Sequence, residues 1–455
     1  MKKLGLLALL MAVVLMMTGC SLVVKDPEVD AKRIIIDFGE ETVDKAAFIR
    51  AYNNAYNNEL ATQQMYQQFG LIQQINIDPQ QIMQSTLDGL VNRMVLLKRA
   101  RELKLDVLDE EGTKTLAEKV ETSWQGILDE VKRQDFAETE LTGEELTKAL
   151  EEKAADYGIV RENIEKSEAE NLMLEQLKAE SIKDVTVTEE EIQADFDKKV
   201  EDAKAQYETD PNAYGSARNS GGTVYYAPAG YRLIKQVLVK FLEDDQTALQ
   251  EAQTAANQAQ TALTTAQNDK TANDNALAAE DLTDEAKAEL TGKVEELDKA
   301  VADAQAALDE ANQKLTELKD KAYANIKEKA DDIVKRARDG ENFDELMKQF
   351  NEDPGTPETG YAIREGFTSF DTAFVTPAMA LENVGDVADP SAGIYGYYIV
   401  QYAGDVEEGP VALDSVRQGI HDALLVAKQD ETYTNLTREW VDASGIKTYL
   451  ERVTD

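Results

Sequence analysis

The side chains that most often carry enzyme chemistry are scarce in this chain of 455 residues, which contains one cysteine, Cys20, and one histidine, His421. A single cysteine cannot form an internal disulfide or a zinc site built from cysteines. A single histidine excludes most His-metal sites and most catalytic arrangements that need several histidines. We therefore expect no bound metal and no cofactor, and we interpret His421 as an ordinary residue of a C-terminal helix.

Cys20 is instead placed for the attachment of a lipid. Two lysines precede the apolar run 4–17, which is too short for a typical spanning helix and is typical of a secretory signal peptide. The run leads into Met17-Thr18-Gly19-Cys20, which resembles the bacterial lipobox, where the chain is cleaved before the cysteine and the thiol receives diacylglycerol. This predicts a signal peptide over 1–19, lipidation at Cys20, and a tether over 20–30. The protein would then lie on the extracytoplasmic face of a bacterial cell membrane; the alternative is an ordinary signal peptide followed by an incidental cysteine.

The chain is strongly acidic, with 88 Asp and Glu against 48 Lys and Arg and a formal net charge of −40. Such a surface repels phosphates, so nucleic acid is excluded as a partner. Removal of residues 1–19 takes away two lysines and gives a charge of −42 (46 − 88), which also keeps the protein body away from anionic headgroups. This length exceeds what one hydrophobic core usually takes, so two or three domains are expected.

The first part of the mature chain has mainly helical patterns. In the clearest of them, apolar residues recur at three- and four-residue steps from Ile82 to Leu97. Thr188, followed by three glutamates, is a typical helix start. The patterns predict a strand at 33–39 and helices over 44–69, 80–104, 109–133, 143–156, 161–182 and 188–208. We assign 31–208 to an N-terminal helical domain and 209–230, where Pro and Gly are dense, to a linker.

The region 242–321 differs in composition, since it is rich in Ala, Gln, Glu, Asp, Lys and Leu and lacks Pro. Leu and Ala recur at alternating three- and four-residue steps on both sides of a break near 280–283, which is typical of two heptad seams. We predict an antiparallel coiled-coil hairpin that projects roughly 50–55 Å, at about 1.5 Å per residue. The sequence leaves open whether the hairpin is a spacer, a clamp for client proteins or a contact in a dimer.

Once the hairpin is set aside, residues 231–404 follow the order strand, helix, helix, helix, strand. Several segments resemble parvulin-type peptidyl-prolyl isomerases: Lys235-Gln236-Val237-Leu238-Val239, 340–346, 350–354, 385–390, and Tyr395-Gly396-Tyr397-Tyr398-Ile399-Val400. Upstream, 87–97 and 185–191 are similar to the chaperone region of SurA- and PrsA-like foldases.

The resemblance implies an α+β, predominantly helical fold. It consists of a helical SurA-like chaperone domain and a small parvulin α/β domain over 231–404, which carries the hairpin at 242–321. The resemblance also implies that 405–455 form a C-terminal helix returning to the N-terminal domain.

Isomerisation of an X–Pro bond needs no cofactor, because the barrier of about 20 kcal/mol comes from lost amide resonance. An enzyme must hold the proline ring in an apolar pocket and bind the twisted amide better than the planar one. By resemblance, the substrate-binding candidates are Phe370, Phe374 and Met379. The two phenylalanines also have the spacing of an ordinary core stripe.

The candidate catalytic residues are Asp353, Gln236 and Tyr398. Asp353 falls where the family has a Cys or Asp beside the amide, although an Asp before a Pro also starts turns. Gln236 and Tyr398 occupy the positions of the family's two facing histidines. Both side chains can still form hydrogen bonds, but the double replacement predicts weak or absent isomerase activity.

These observations predict a membrane-anchored foldase that binds unfolded or folding secreted polypeptides and belongs to the peptidyl-prolyl isomerases. The alternative is a catalytically inactive parvulin-domain lipoprotein that acts as a binding scaffold through its coiled coil. A solute-binding lipoprotein is disfavoured by the hairpin and by the lack of repeated βα units.

Overall fold

The computed structural model describes residues 26–279 and 282–454. The α+β, predominantly helical fold expected from the sequence is confirmed. Packing groups these residues into two units: 26–187 together with 423–454, and 188–422. The predicted signal peptide and Cys20 lie outside the described residues. Among the residues that are described, no helix is both long and apolar enough to cross a membrane.

The elements are named here in chain order. Up to residue 209 they are α1 (Pro27–Ala31), β1 (Ile34–Phe38), β2 (Glu41–Asp44), α2 (Lys45–Gln68), α3 (Pro79–Glu102), α4 (Glu110–Asp135), α5 (Gly143–Asp156), α6 (Arg161–Ile182) and α7 (Glu189–Thr209). The following elements are α8 (Ala213–Asn219), β3 (Tyr226–Ala227), β4 (Arg232–Lys240), α9 (Glu243–Leu277), α10 (Asp284–Arg338), α11 (Phe343–Phe350), β5 (Tyr361–Ile363) and α12 (Thr372–Ala380). The chain ends with β6 (Ser391–Gly393), β7 (Gly396–Asp405), β8 (Gly409–Pro410), α13 (Leu413–Ala443), β9 (Lys447–Thr448) and α14 (Glu451–Thr454).

The unit formed by 26–187 and 423–454 joins both ends of the described chain in one small sheet. Its strands are ordered β2-β1-β9, and β1 pairs with β9 in antiparallel register, with Ile36 opposite Thr448. Ile35, Ile36 and Phe48 are fully buried beneath this sheet. Aspartate side chains begin the next helices: Asp44 accepts from the backbone N–H of Ala47 at 2.7 Å, and Asp78 and Asp109 do the same for α3 and α4.

The unit 188–422 is built on a four-stranded antiparallel sheet of order β5-β4-β7-β6. Successive side chains of a strand point to opposite faces, so the buried strand β4 contributes to two cores. Ile234 and Leu238 pack with α12 on one face, and Val237 and Val239 pack with α10 and α11 on the other. Most buried positions of β4 are therefore apolar, and Gln236, which is 3% exposed, is the buried polar exception on this strand.

A helical hairpin leaves this sheet between β4 and α11, as the sequence predicts. The helices α9 and α10 run antiparallel: Asn273 contacts Leu290 near the tip, and Asp245 accepts from Asn325 at 2.7 Å near the base. The buried seam consists of Ala252, Ala256, Leu263, Leu308, Leu315 and Ala322. The alanines of this seam let the two helices approach closely, and the leucines fill the space between them.

Two features differ from the sequence-based boundaries. Helix α7 belongs to the unit 188–422 and not to the N-terminal one, although its N-cap is confirmed, because Thr188 and Glu191 form a capping box. The predicted linker 209–230 is instead folded. It contains α8 and β3, and the ring of Tyr214 lies 4.8 Å from that of Tyr231 in the core. Pro and Gly here form tight connections around buried aromatic rings rather than a solvated link.

Candidate active site

A cavity of about 480 Å³ opens on the face of the sheet that carries Gln236. Antiparallel register places Gln236 opposite Val400 and Leu238 opposite Tyr398 on the paired strands β4 and β7. Gln236 and Tyr398 therefore lie diagonally on the same face of the sheet. The loop 351–360 and helix α12 form the other walls, and the cavity is lined by Gln236, Asp353, Tyr361, Phe370, Phe374 and Tyr398, among others.

Asp353 is the centre of the polar wall. Its Oδ2 accepts hydrogen bonds from Gln236 Nε2 at 2.6 Å, Tyr361 Oη at 2.9 Å and Thr356 Oγ1 at 3.1 Å. Its Oδ1 accepts from the backbone N–H of Gly355 at 3.0 Å. With four donors directed at one carboxylate, Asp353 fixes the positions of the side chains around it.

Only the nitrogen of the Gln236 side-chain amide forms hydrogen bonds in this network. Its Nε2 donates to Asp353 and, at 3.2 Å, to Thr356, whereas its buried Oε1 has no hydrogen-bond partner within the described chain. A buried acceptor without a partner costs free energy. One residue of the cavity wall therefore has a buried acceptor that no described residue satisfies.

The apolar wall is a chain of aromatic rings set edge to face. The ring centroids of Phe370 and Phe374 are 5.6 Å apart, those of Phe374 and Tyr398 are 6.0 Å apart, and those of Tyr361 and Phe370 are 4.9 Å apart. Such rings hold each other in fixed orientations. A small apolar ring such as that of proline fits against a wall of this kind.

Two tyrosines of the cavity, Tyr361 and Tyr398, have raised pKa values. Burial, reinforced by the hydrogen bond to Asp353, raises the pKa of Tyr361 to about 12. Burial and the negative charge of Asp371 raise the pKa of Tyr398 still further above its ordinary value. Both phenols keep their protons at physiological pH and can act as hydrogen-bond donors.

The sequence alone assigned no role in the site to three residues. Tyr361 and Thr356 complete the Asp353 network, and Asp371 caps α12 while its Oδ2 accepts from the backbone N–H of Ile394 at 2.9 Å. The Gly360-Tyr361 pair at the start of the short strand β5 was the local pattern that could have indicated Tyr361. Its position beside Asp353 depends on the pairing of β5 with β4, which no local pattern encodes.

Five of the six candidate catalytic and substrate-binding residues line this cavity, and Met379 does not. Met379 packs against the core beside α12, and its backbone carbonyl accepts from the Arg232 guanidinium at 3.2 Å. His421 lies on α13, where its Nδ1 contacts Asp422 at 2.9 Å. In the described part of the chain, no group of three or more His, Cys, Asp or Glu side chains is arranged to hold a metal ion.

Comparison with known proteins matches two parts of the chain to families. Residues 2–130 match the SurA-like N-terminal domain, and residues 310–404 match the PPIC-type PPIASE domain. A foldase protein PrsA of Clostridium botulinum is 25% identical over 337 residues, which cover 72% of this chain and 82% of that protein. The chain is thus similar to the PrsA- and SurA-like foldases, and part of it matches a parvulin-type domain.

Other similarities to foldases of this family are shorter or weaker. A PrsA 2 of Listeria innocua is 29% identical over 119 residues, which cover 26% of this chain and 40% of that protein. The crystal structure of PrsA from Streptococcus pneumoniae covers 91% of this chain and 95% of its own at 14% identity, with a TM-score of 0.23. A TM-score this low supports no inference about this chain.

The family match also locates the hairpin within the parvulin-type domain. The match begins at residue 310, inside α10, although β4 already pairs with β7 in the same sheet. The hairpin separates β4 from the rest of the matched domain, and the matched segment starts within α10, which leads back to the sheet. The hairpin is therefore an insertion after the first strand of the domain.

Proposed function

We propose that this chain is a lipid-anchored extracytoplasmic foldase that binds unfolded secreted proteins and isomerises X–Pro bonds weakly. The observation that supports this proposal best is the cavity itself, where the aromatic rings of Phe370 and Phe374 face the polar network of Asp353 and Gln236. The sequence similarity to PrsA foldases supports the chaperone part. In this proposal the domains have the limits predicted above, except that α7 groups with the unit 188–422 and that 209–230 is folded.

The geometry suggests how a twisted amide is favoured. Twisting removes resonance, so the carbonyl oxygen loses charge and the proline nitrogen gains a lone pair that can accept a hydrogen bond. A donor directed at that nitrogen binds the twisted amide more strongly than the planar one, which lowers the barrier. The amide of Gln236 cannot easily supply it, because its Nε2 already donates to Asp353 and Thr356.

Since Gln236 is engaged, Tyr398 is the other candidate donor at a position where the family has a histidine. It lines the cavity, and its raised pKa keeps the phenolic proton in place. A phenol donates one hydrogen bond, whereas a pair of histidines can exchange protons and share them with a carboxylate. We therefore expect activity above that of a non-enzymatic protein but below that of a parvulin with both histidines.

The test compares isomerisation of a tetrapeptide X–Pro substrate with suppression of aggregation of an unfolded protein. Wild-type protein should accelerate isomerisation and suppress aggregation. Tyr398→Phe should lower kcat/KM for isomerisation about tenfold, because one hydrogen bond made in the transition state is lost, while suppression of aggregation stays unchanged. Tyr397→Phe is the matched control, since Tyr397 lies next in β7 on the opposite face of the sheet. If neither activity exceeds that of a control protein, the proposal fails.

A non-catalytic scaffold is the second candidate, and the engagement of Gln236 by Asp353 and Thr356 favours it. In this case the parvulin-type domain binds a partner, and the hairpin, as a coiled coil, supplies a docking surface. The double variant Gln236→His with Tyr398→His separates the two functions. A gain of isomerase activity over an inactive wild type supports the scaffold, whereas a wild type as fast as other parvulins rules it out.

The membrane location depends on Cys20 and has its own test. Wild-type protein expressed in a bacterium should sediment with membranes and carry a diacylglycerol adduct by mass spectrometry. Cys20→Ala should remove the adduct and release the protein from the membrane fraction. An unlipidated wild type would favour the ordinary signal peptide.

A further inference from the structure

A second cavity, of about 440 Å³, lies against the base of the inserted hairpin. Leu249, Gln250 and Gln253 of α9 and Leu315 of α10 form the hairpin side, and α12 and β6 form the other. Asp371 and Ile394 line both this cavity and the one that contains Gln236. The two cavities are therefore neighbours that share one wall.

The hairpin side of the second cavity is held firmly against the sheet. Tyr323 of α10 donates from its hydroxyl to the backbone carbonyl of Gly393 in β6 at 2.9 Å. Its ring lies 4.9 Å from that of Phe241, which directly follows β4, and 5.3 Å from that of Tyr397 in β7. The base of the hairpin is thus a fixed part of the domain, and the cavity beside it is preformed.

The chemistry of the joined cavities fits an extended polypeptide. Leu249 and Leu315 supply an aliphatic surface, while the exposed side chains of Gln250 and Gln253 can bond to a peptide backbone. On the rim of the first cavity, Ile394 is 69% exposed and its neighbour Tyr395 is 59% exposed. Large apolar side chains kept in water at the edge of a cavity are a common feature of binding sites.

The unpartnered Oε1 of Gln236 gives independent evidence for the same kind of ligand. This oxygen is buried and accepts no hydrogen bond from the described residues, and Gln236 is one of the residues that line the first cavity. The backbone N–H groups of a peptide are the donors that an unfolded polypeptide offers at every residue except proline. A chain segment that places proline against the aromatic wall brings such an N–H close to Gln236.

We propose that the hairpin base forms a second subsite for the client polypeptide, which takes an apolar side chain about three residues away from the bound proline. The spacing follows from size, because a sphere of the first cavity's volume is roughly 10 Å across and an extended chain rises about 3.3 Å per residue. This subsite rests on the proposed X–Pro binding in the first cavity. It gives the inserted hairpin a role in selecting clients.

The experiment measures binding of two fluorescein-labelled peptides to the full chain by fluorescence anisotropy. Both contain a central Ala-Pro within a glycine-serine sequence, and one also has leucine three residues before and three residues after the proline. The leucine peptide should bind about tenfold more tightly to the wild type, because one leucine is transferred from water into the second cavity. The Gln253→Trp variant should remove this preference by filling the cavity.

Gln260→Trp is the matched control. Gln260 is exposed on the same helix, has the same residue type and lies one heptad further from the sheet, so the preference for leucine should remain. Equal affinity of the wild type for both peptides would overturn the second subsite but leave proline binding intact. A wild type that binds neither peptide would overturn the proposed function as well, whereas loss of the preference in both tryptophan variants would show that the effect is not specific to this cavity.

Discussion

At the scale of single residues, the cavity depends on Asp353 more than on any other side chain. Three donors converge on its Oδ2 and a fourth reaches its Oδ1. Few of its lone-pair positions remain for a substrate, so its role is to orient Gln236 and Tyr361 by hydrogen bonding. The family resemblance predicted that Asp353 lies beside the amide, but it did not predict that Asp353 orients Gln236 and Tyr361.

Replacement of Asp353 by asparagine tests its positioning role. The amide of Asp353→Asn cannot accept from all three donors at once, so the free energy of unfolding should fall by about 2–3 kcal/mol in urea denaturation. Asp389→Asn is the control, because Asp389 is 84% exposed and its ion pair with Arg338 is on the surface, where such pairs contribute at most about 1 kcal/mol. Equal losses in both variants would contradict the central role of Asp353.

The raised pKa of Tyr361 predicts a loss of stability in alkaline solution. The folded protein holds the phenolic proton up to a pKa of about 12, whereas an unfolded tyrosine releases it near pH 10. Between these values the unfolded state binds fewer protons, so stability is complete below pH 10 and falls as the pH rises towards 12. Urea denaturation of Tyr361→Phe should show a shallower fall over this window than the wild type, and an identical slope would contradict the shift.

At the scale of elements, the hairpin carries its own destabilising residue. Asn273 is 7% exposed near the tip, and its Nδ2 donates to the carbonyl of Leu290 at 3.2 Å. Its Oδ1 is buried and has no partner in the described chain. A polar side chain in a helical seam lowers stability but favours one register over others.

The Asn273→Leu variant should therefore have a more stable hairpin. Removal of the unsatisfied oxygen should raise the free energy of unfolding by about 1–2 kcal/mol, measured by circular dichroism at 222 nm during thermal melting. Asn257→Leu, at an exposed position on the same helix, should change it by less than about 0.5 kcal/mol. Sedimentation velocity should also reveal more self-association of Asn273→Leu, because the residue that restricts the register is gone; a less stable variant would contradict this account.

The elements were more predictable from the sequence than the cavity was. The helix beginning after Thr188 and the break between α9 and α10 follow from capping and heptad spacing, which are local properties. The folded segment 209–230 could not be foreseen, because the burial of Tyr214 and Tyr226 depends on tertiary packing against α7 and the strands of the sheet. Met379 failed to reach the cavity for a similar reason, since the position of a side chain along α12 depends on how that helix packs.

At the scale of the whole molecule, the two units differ in chain continuity. The unit 188–422 is one uninterrupted stretch, whereas the other unit combines 26–187 with 423–454. Ile446 and Leu450 pack beside the fully buried Ile35 and Ile36, next to the pairing of β9 with β1. Residues near the C-terminus thus complete a core that also contains β1, the first strand of the described chain.

The Ile446→Asp variant should destabilise the discontinuous unit selectively. A charge placed against this core should cost about 1–3 kcal/mol, and hydrogen exchange of the amides in β1 and α2 should accelerate while that of β4 and β7 stays unchanged. Thr448→Asp adds the same charge at an exposed position of β9 and should have a much smaller effect. Uniform acceleration across both units by Ile446→Asp would contradict the independence of the two cores.

The pairing of β1 with β9 also has a consequence for the order in which the protein matures. Synthesis proceeds from the N-terminus, so β1 emerges more than 400 residues before its partner at Lys447–Thr448. Until then the open edge of β1 offers its backbone N–H and C=O groups to any other strand that is near. The continuous unit can finish folding meanwhile. The first strand of the described chain is therefore among the last to gain its pairing partner. During this long interval the unpaired edge of β1 has the exposed backbone groups of an unfolded polypeptide.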